Sequence, residues 1–260
     1  MNFETLILEQ TGALATVTLN RPEVRNAFNE TMIVELGQVF THLASQPEVR
    51  AIVLAANGPA FCAGGDLNWM KKMAHYNDAE NHADALHLAK MLRAIYTCPQ
   101  PVVARVHGDC YAGGMGLVSA CDMIVAAPGA YFCLSEVKLG LIPATISPYV
   151  IKAMGEQAAR RYFLTAERFT AQEAHRFGMV HELAEAEAID ATVAVITKAL
   201  LGNSPNAVRQ AKVLVRDMAG REVDDALLDD SARRIAQIRA SGEGREGVTS
   251  FLEKRKPNWL

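Results

Sequence analysis

Val106-His107-Gly108-Asp109-Cys110-Tyr111-Ala112-Gly113-Gly114-Met115-Gly116 is the stretch on which the reading of this chain turns. A strand-like apolar run ends in a glycine cluster, and a second apolar run opens from it. Glycines at the start of a helix leave bare backbone N–H groups at its N-terminus, where partial positive charge suits a developing anion. Downstream, Glu136 in Leu134-Ser135-Glu136-Val137-Lys138 is a lone carboxylate in mostly apolar company and reads as an acid–base group. Upstream, Phe61-Cys62-Ala63-Gly64-Gly65-Asp66 offers a second backbone N–H. The three segments together point to chemistry on an acyl group whose oxygen becomes an oxyanion.

The chain has 260 residues, enough for one large domain or one domain with an appendage, and for burial of roughly 70–75% of its unfolded surface. Half of the residues are hydrophobic and the net charge is −3, so charge gives no reason to expect nucleic acid as a partner. Five cysteines, Cys62, Cys98, Cys110, Cys121 and Cys133, lie in apolar runs without a CxxC pair, which reads as buried reduced thiols and no metal site. The first residues lack the pattern of a signal peptide, and no apolar run approaches the length of a membrane span; a cytoplasmic location is expected.

Strand-like runs at residues 5–8 and 13–19 flank a turn at Gln10-Thr11-Gly12. Asn29 is a candidate N-cap for a helix carrying Met32, Ile33, Leu36, Val39, Phe40 and Leu43 at helical spacing. Residues 51–56 form a continuous apolar run, as in a strand buried on both faces. Helices are expected after Gly64-Gly65 and over residues 78–96, the latter stopped by Pro99 and Pro101. A strand over 102–106 leads to the glycine cluster and a helix to about residue 120, followed by short strands at 123–126 and 131–134. Alternating strands and helices argue for an α/β core. Beyond about residue 145 the pattern is mostly helical, with candidates at 171–177, 186–201, 205–218, 223–240 and 243–253. We expect a core over 1–200 and a C-terminal helical region over 201–260.

Several motifs occur in a telling order. They are Asn20-Arg21-Pro22 with Asn26-Ala27-Phe28, Phe61 to Leu67, the Gly113-Gly114 cluster, Cys121-Asp122, and Glu136 with Leu139-Gly140-Leu141-Ile142-Pro143. In this order and spacing the chain resembles the crotonase (enoyl-CoA hydratase/isomerase) superfamily over nearly its whole length. The resemblance implies a crotonase-like spiral of ββα units with a C-terminal helical trimerisation region, in homotrimers or dimers of trimers. It implies acyl-CoA substrates, with coenzyme A as part of the substrate and no separate cofactor. The family's two oxyanion-hole N–H groups map onto Gly65 and Gly114, and its second catalytic glutamate onto Glu136. Backbone around Ala63, Gly65, Asp66, Leu67 and Asn68 would line the CoA and pantetheine. Arg25, and Lys254 or Lys256 of a neighbouring subunit, would meet CoA phosphates.

One departure stands out. The classical hydratases carry another glutamate two residues after the oxyanion glycine, where this chain has Gly116. Glu136 alone could then bind water and deliver the α-proton, or Tyr111, Asp109, His75 or His82 could supply the second function. A third option is double-bond isomerisation, which needs one base. The gap at Gly116 is expected to enlarge the acyl pocket. The segments Asp66 to Met70 and Ser135 to Tyr149 look most like bacterial hydratases of branched, carboxylated enoyl-CoAs such as methylglutaconyl-CoA and its isohexenyl analogue. A distal carboxylate would then need a cation, for which Lys71, Lys72 and Lys138 are candidates. A CoA-ligand-binding scaffold without strong catalysis is the reading of another class. A dinucleotide fingerprint fails because Ser119 takes the place of its third glycine, and no GxSxG is present.

Overall fold

The computed structural model describes residues 1–260. Strands β1 (Leu6–Thr11) and β2 (Leu14–Leu19) pair antiparallel around Gly12, whose φ of 58° is left-handed. There follow α1 (Glu30–Ala44), β3 (Ala51–Ala56), α2 (Leu67–Met73), α3 (Asp78–Tyr96), β4 (Val102–Val106), β5 (Cys110–Tyr111), α4 (Gly113–Ala120), β6 (Met123–Ala126) and β7 (Tyr131–Cys133). After a 3-10 turn over Glu136–Leu139 the chain continues through α5 (Ser147–Thr165), β8 (Phe169–Thr170), α6 (Ala171–Arg176) and β9 (Glu182–Leu183). It closes with α7 (Ile189–Gly202), α8 (Pro205–Met218), α9 (Asp225–Ala240) and α10 (Gly242–Leu252).

The main sheet has the order β1-β2-β3-β4-β6-β9 and is parallel from β2 onward. A second sheet, β5-β7-β8, carries the strand that feeds the glycine cluster. Strand β3 is buried along its whole length, and its side chains alternate between two cores. Ile52, Leu54 and Ala56 enter the large core, while Val53 and Ala55 pack with Val103, Val125, Ile189 and Val193 under α7. The continuous apolar run is therefore a strand covered on both faces. The Asn29 carboxamide caps α1 by accepting from the Met32 N–H at 2.9 Å, and all six apolar residues expected on its inner face are buried. Asn77 and Glu80 form a reciprocal capping box at the start of α3.

Helix α5 has no counterpart among the expected helices. Gly155 inside it takes φ 78° and ψ 155°, so two short helical pieces meet at a kink and no single apolar period runs through. The two-residue strands β8 and β9 are likewise too short to carry a period of their own.

The last helices lie on the core without entering it. Neither α8 nor α9 contributes a buried residue. Polar ties hold them: Lys212 of α8 donates to the Asp122 carboxylate at 2.7 Å and to the Gln100 carbonyl at 3.0 Å. The Arg50 guanidinium donates to the carbonyls of Leu201 at 2.7 Å, Asn203 at 2.6 Å and Trp259 at 3.1 Å, which pins the C-terminal end. Exposed apolar side chains remain on this layer, including Val215, Leu228, Ile235, Phe251 and Leu252. No helix is long and apolar enough to cross a membrane.

Burial pushes the Asp122 carboxyl above its ordinary value, with Lys212 pulling against it. Removing the cation alone leaves a buried carboxylate uncompensated. Lys212→Met is expected to cost about 3 kcal/mol in urea unfolding. Adding Asp122→Asn should recover part of that loss; equal stability of single and double variants would refute the coupling.

Candidate active site

Two distant turns meet at the start of α4. The Phe61–Cys62 backbone is tied to the segment entering β5: the N–H groups of Phe61 and Cys62 donate to the Asp109 carbonyl at 3.0 and 3.1 Å, and Tyr111 N–H donates to the Cys62 carbonyl at 2.9 Å. Phe28 holds the other side of the turn, donating to the Gly64 carbonyl at 2.7 Å and accepting from Asp66 N–H at 2.7 Å. These bonds press the two turns together without side chains between them. A Cβ at Gly64, where φ is +96°, would lie 3.1 Å from the Ala112 Cβ; one at Gly114 would lie 2.8 Å from the Cys62 Cβ; one at Gly113 would lie 2.8 Å from the Phe28 ring. Glycine is required at these places by close approach of the backbone.

The amides of Gly65, Gly113 and Gly114 donate to no carbonyl or side chain of the chain, whereas Met115 N–H is already spent on the Ala112 carbonyl at 2.9 Å. Gly113 and Gly114 are the first two residues of α4, so their N–H groups carry the positive end of its dipole. Ala112, just before them, holds φ 47° and ψ −118°, a conformation that a side chain rarely adopts. That residue turns the chain from β5 into α4 and is anchored by its N–H on the Cys133 carbonyl at 2.8 Å. Sequence reasoning named Gly113 only as part of the glycine cluster and assigned the donor role there to Gly114; its place as first helical residue marks Gly113 as a second free amide.

The Asn20–Phe28 segment serves as scaffold for the turn. Arg25 and Asn26 both take left-handed φ, 53° and 54°. The buried Asn26 carboxamide accepts from Arg21 N–H at 2.8 Å and donates to the carbonyls of Asn57 and Ala60 at 2.8 and 3.0 Å. Arg21 in turn bridges to Asp66 at 2.9 Å. Asp66 caps α2 by accepting from Asn68 N–H at 2.8 Å. Burial would raise its carboxyl, but Arg21 and the helix amides outweigh burial and hold it below its ordinary value. Asp66 is thus committed to the fold of the turn. Ala63, Leu67 and Asn68 are exposed beside Gly65, and Ala63 N–H donates to the Arg25 carbonyl at 3.0 Å. Arg25 is therefore an exposed cation at the edge of this turn. Lys254 and Lys256 are exposed after α10, flanking Arg255, which is engaged by Glu246 and Glu253.

Glu136 opens the 3-10 turn that follows β7 and is half-buried. Its Oε2 is out of contact with solvent and has no hydrogen-bond partner. Burial pushes the carboxyl up, opposed by a bond from its own backbone N–H, and no cation compensates it. A buried carboxyl with an unused oxygen is poised to take up and give back a proton. The other acid–base candidates are engaged elsewhere or lie outside. Tyr111 donates to Asp109 at 2.6 Å, Asp109 also accepts from Tyr131 N–H at 3.1 Å, and Arg168 reaches it at 3.4 Å. Burial and the Asp109 carboxylate push the Tyr111 hydroxyl upward, so it holds its proton. His75 and His82 are exposed. Lys71 and Lys138 are exposed too, and Lys72 pairs with Glu30 at 2.7 Å.

Gly116 requires a correction. The space beside it is not an enlargement of a pocket: a Cβ there would stand 2.8 Å from the Ile146 Cβ and 3.5 Å from Leu92 Cδ2. Hydrocarbon fills the gap left by the missing side chain, and Gly116 itself is buried.

Residues 9–260 match the enoyl-CoA hydratase/isomerase family. The chain belongs to that family. An enoyl-CoA hydratase of Shewanella pealeana has the same fold, with 43% identity and a TM-score of 0.96 over 99% of this chain and 96% of that one. Pseudomonas aeruginosa AtuE is 37% identical, with a TM-score of 0.94 over 98% of this chain and 99% of its own. The mevalonyl-coenzyme A hydratase sidH of Aspergillus fumigatus is 32% identical over 98% of this chain and 94% of its length. The expected crotonase-like α/β architecture is thus established, and the protein is an enzyme of the enoyl-CoA hydratase/isomerase family.

Three substitutions probe this site. Gly65→Ala should fold as the parent does, because its Cβ would find only ordinary contacts, the nearest being Met70 Cγ at 3.5 Å. Gly114→Ala should lower Tm by several degrees, and equal Tm values would show that the close approach to Cys62 is not needed. Glu136→Gln tests the burial of the carboxyl. Because the folded-state pKa is raised, the folded protein holds this proton more tightly, and that contribution is lost as pH rises through the raised value. The glutamine variant should therefore be more stable than the parent at pH 7, with the difference vanishing near about pH 4. A pH-independent difference would remove the linkage.

Proposed function

We propose that the chain is an enoyl-CoA hydratase-type lyase in which Glu136 is the sole carboxylate. Two observations carry this: the amides of Gly65, Gly113 and Gly114 have no internal acceptor, and the buried Glu136 Oε2 has no partner. The thioester oxygen would accept from Gly65 and from the first turn of α4, with Gly114 as the expected donor there. Glu136, as carboxylate, takes a proton from water as the water oxygen bonds to C3. The C2–C3 π electrons move onto the thioester oxygen, where the amides stabilise the enolate. The enolate then collapses and C2 takes the proton from Glu136, which restores the carboxylate. Atoms balance, and one group serves both steps.

Branched, carboxylated enoyl-CoAs such as methylglutaconyl-CoA are the proposed substrates. Similarity in the segments around Asp66 and Glu136 supports this, as does the likeness to a relative named a mevalonyl-coenzyme A hydratase. CoA would lie along the Ala63–Asn68 backbone, with Arg25 near a phosphate. Self-association through α8–α10, as a trimer or pair of trimers, is supported by the exposed Leu228, Ile235, Phe251 and Leu252; Lys254 and Lys256 would then reach a neighbour's CoA. A second reading, double-bond isomerisation, is favoured by the hydrocarbon at Ile146: moving a proton between C4 and C2 needs one base and no water.

Incubation with methylglutaconyl-CoA, crotonyl-CoA and a 3-enoyl-CoA separates the readings. Loss of the conjugated enoyl absorbance with formation of the 3-hydroxy thioester is expected. Conversion of the 3-enoyl to the 2-enoyl thioester without hydration would replace the lyase by the isomerase, and CoA-ligand binding without turnover would favour a scaffold. Glu136→Gln should lower turnover by about 10²–10⁴-fold. Activity should fall as pH drops through the raised Glu136 value, above the usual carboxylate range, because the step begins from the carboxylate. An acid limb that persists in residual Glu136→Gln activity would remove Glu136 from this role.

A further inference from the structure

Phe28 touches both sides of the free-amide pair. Its backbone brackets Gly65: the Phe28 N–H donates to the Gly64 carbonyl at 2.7 Å, and the Phe28 carbonyl accepts from Asp66 N–H at 2.7 Å. Its ring lies on Gly113, where a Cβ would stand 2.8 Å from Cε2 and 2.9 Å from Cδ2. The backbone pairing of the turn with the β5 segment ends at Cys62, so Gly65, three residues further on, is held through Phe28. Phe28 is itself fixed from both directions along the chain. The Ala27 carbonyl accepts from Arg21 at 2.7 Å, Arg21 also bridges to Asp66, and Asn29 caps α1. The residue is 1% exposed and belongs to the large core. A close-packed ring seated on bare backbone does not compress, so it limits how near the first turn of α4 comes to the Gly65 segment.

We propose that Phe28 is a positioning residue that sets the separation between the Gly65 amide and the amides opening α4, through its backbone on one side and its ring on the other. The inference rests on the acyl-CoA reading above, in which those amides share one thioester oxygen. Sharing requires the oxygen to lie about 2.7–3.1 Å from both donors at once. A misplacement of about 1 Å costs on the order of 10²-fold in rate. Shortening the side chain keeps the backbone bracket at Gly65 and removes the spacer at Gly113, so α4 settles toward the vacated volume. Adding a methyl at position 113 acts in the opposite sense, driving α4 off the ring.

The test reads the carbonyl of a bound, saturated thioester. Butyryl-CoA labelled with 13C at the thioester carbonyl has no double bond to hydrate. Difference infrared spectra of its complex with the full chain should place the carbonyl stretch below its position in water, because preorganised donors polarise the bond. Phe28→Leu, which keeps an apolar side chain and the backbone bonds, should lose part of that downshift, and Phe28→Ala should lose most of it. Gly113→Ala should lose part as well, and Phe28→Leu combined with Gly113→Ala should recover some of that loss, since the smaller side chain makes room for the methyl. A lowered Tm with the stretch unmoved in all of these variants would make Phe28 a core residue only, overturning this inference and leaving the proposed reaction standing. A parent that binds butyryl-CoA with its carbonyl stretch unmoved, or that does not bind it, would defeat both. A downshift that follows Phe28 in a protein that turns over no enoyl-CoA would keep this inference and defeat the proposed reaction.

Discussion

The site depends on backbone pairing between the Cys62–Asp66 turn, the Asp109–Tyr111 segment and Phe28. These bonds consume the neighbouring N–H groups and leave those of Gly65, Gly113 and Gly114 without an internal acceptor. The proposed donors are main-chain groups set in a frame of backbone bonds, so they would need no reorganisation for a charge developing beside them, which is the condition for electrostatic stabilisation. The frame tolerates almost no added volume: Gly113 lies on the Phe28 ring and Gly114 on Cys62, whose buried thiol is pushed up to about 12. Cys62 accordingly acts as a small apolar packing group.

Glu136 shows the complementary economy. Other carboxylates of the region are consumed by structure, Asp66 by Arg21 and the α2 amides and Asp109 by Tyr111, Tyr131 and Arg168. Glu136 keeps one oxygen unpartnered in a half-buried setting. An unsatisfied buried polar atom is destabilising, so the fold carries a local cost at the place where proton transfer is proposed. Position 116 of α4 is glycine, and Ile146 packs against it, so in the proposed reaction Glu136 has no carboxyl partner at that position.

The C-terminal layer obeys a different rule. Discrete polar ties anchor α8 and the chain end, Lys212 to Asp122 and Arg50 to three carbonyls, and the layer leaves apolar side chains facing outward. A layer attached in this way is held in orientation by the core while keeping an apolar face unburied within the chain.

Much of the fold was legible from local pattern. The inner face of α1, the span of α3 from Asp78 to Tyr96 and the doubly buried β3 follow from periodicity and capping, because those signals act over a few residues. The family motifs placed Gly65, Gly114 and Glu136 as candidates, since glycine and an isolated carboxylate are chemically conspicuous in sequence. Other features were not legible. Helix α5 hides behind the kink at Gly155, and Gly113 as a free donor is defined by the hydrogen bonds its neighbours make. The space at Gly116 could not be judged either, because the residue that fills it, Ile146, comes from a distant segment and its reach is set by the docking of α5 on α4. Sequence determined which groups are present and the local turns that display them. Tertiary structure alone decided which amides remain unspent, which carboxyl lacks a partner and what occupies the room beside a glycine, because each is a matter of contact between residues far apart in the chain.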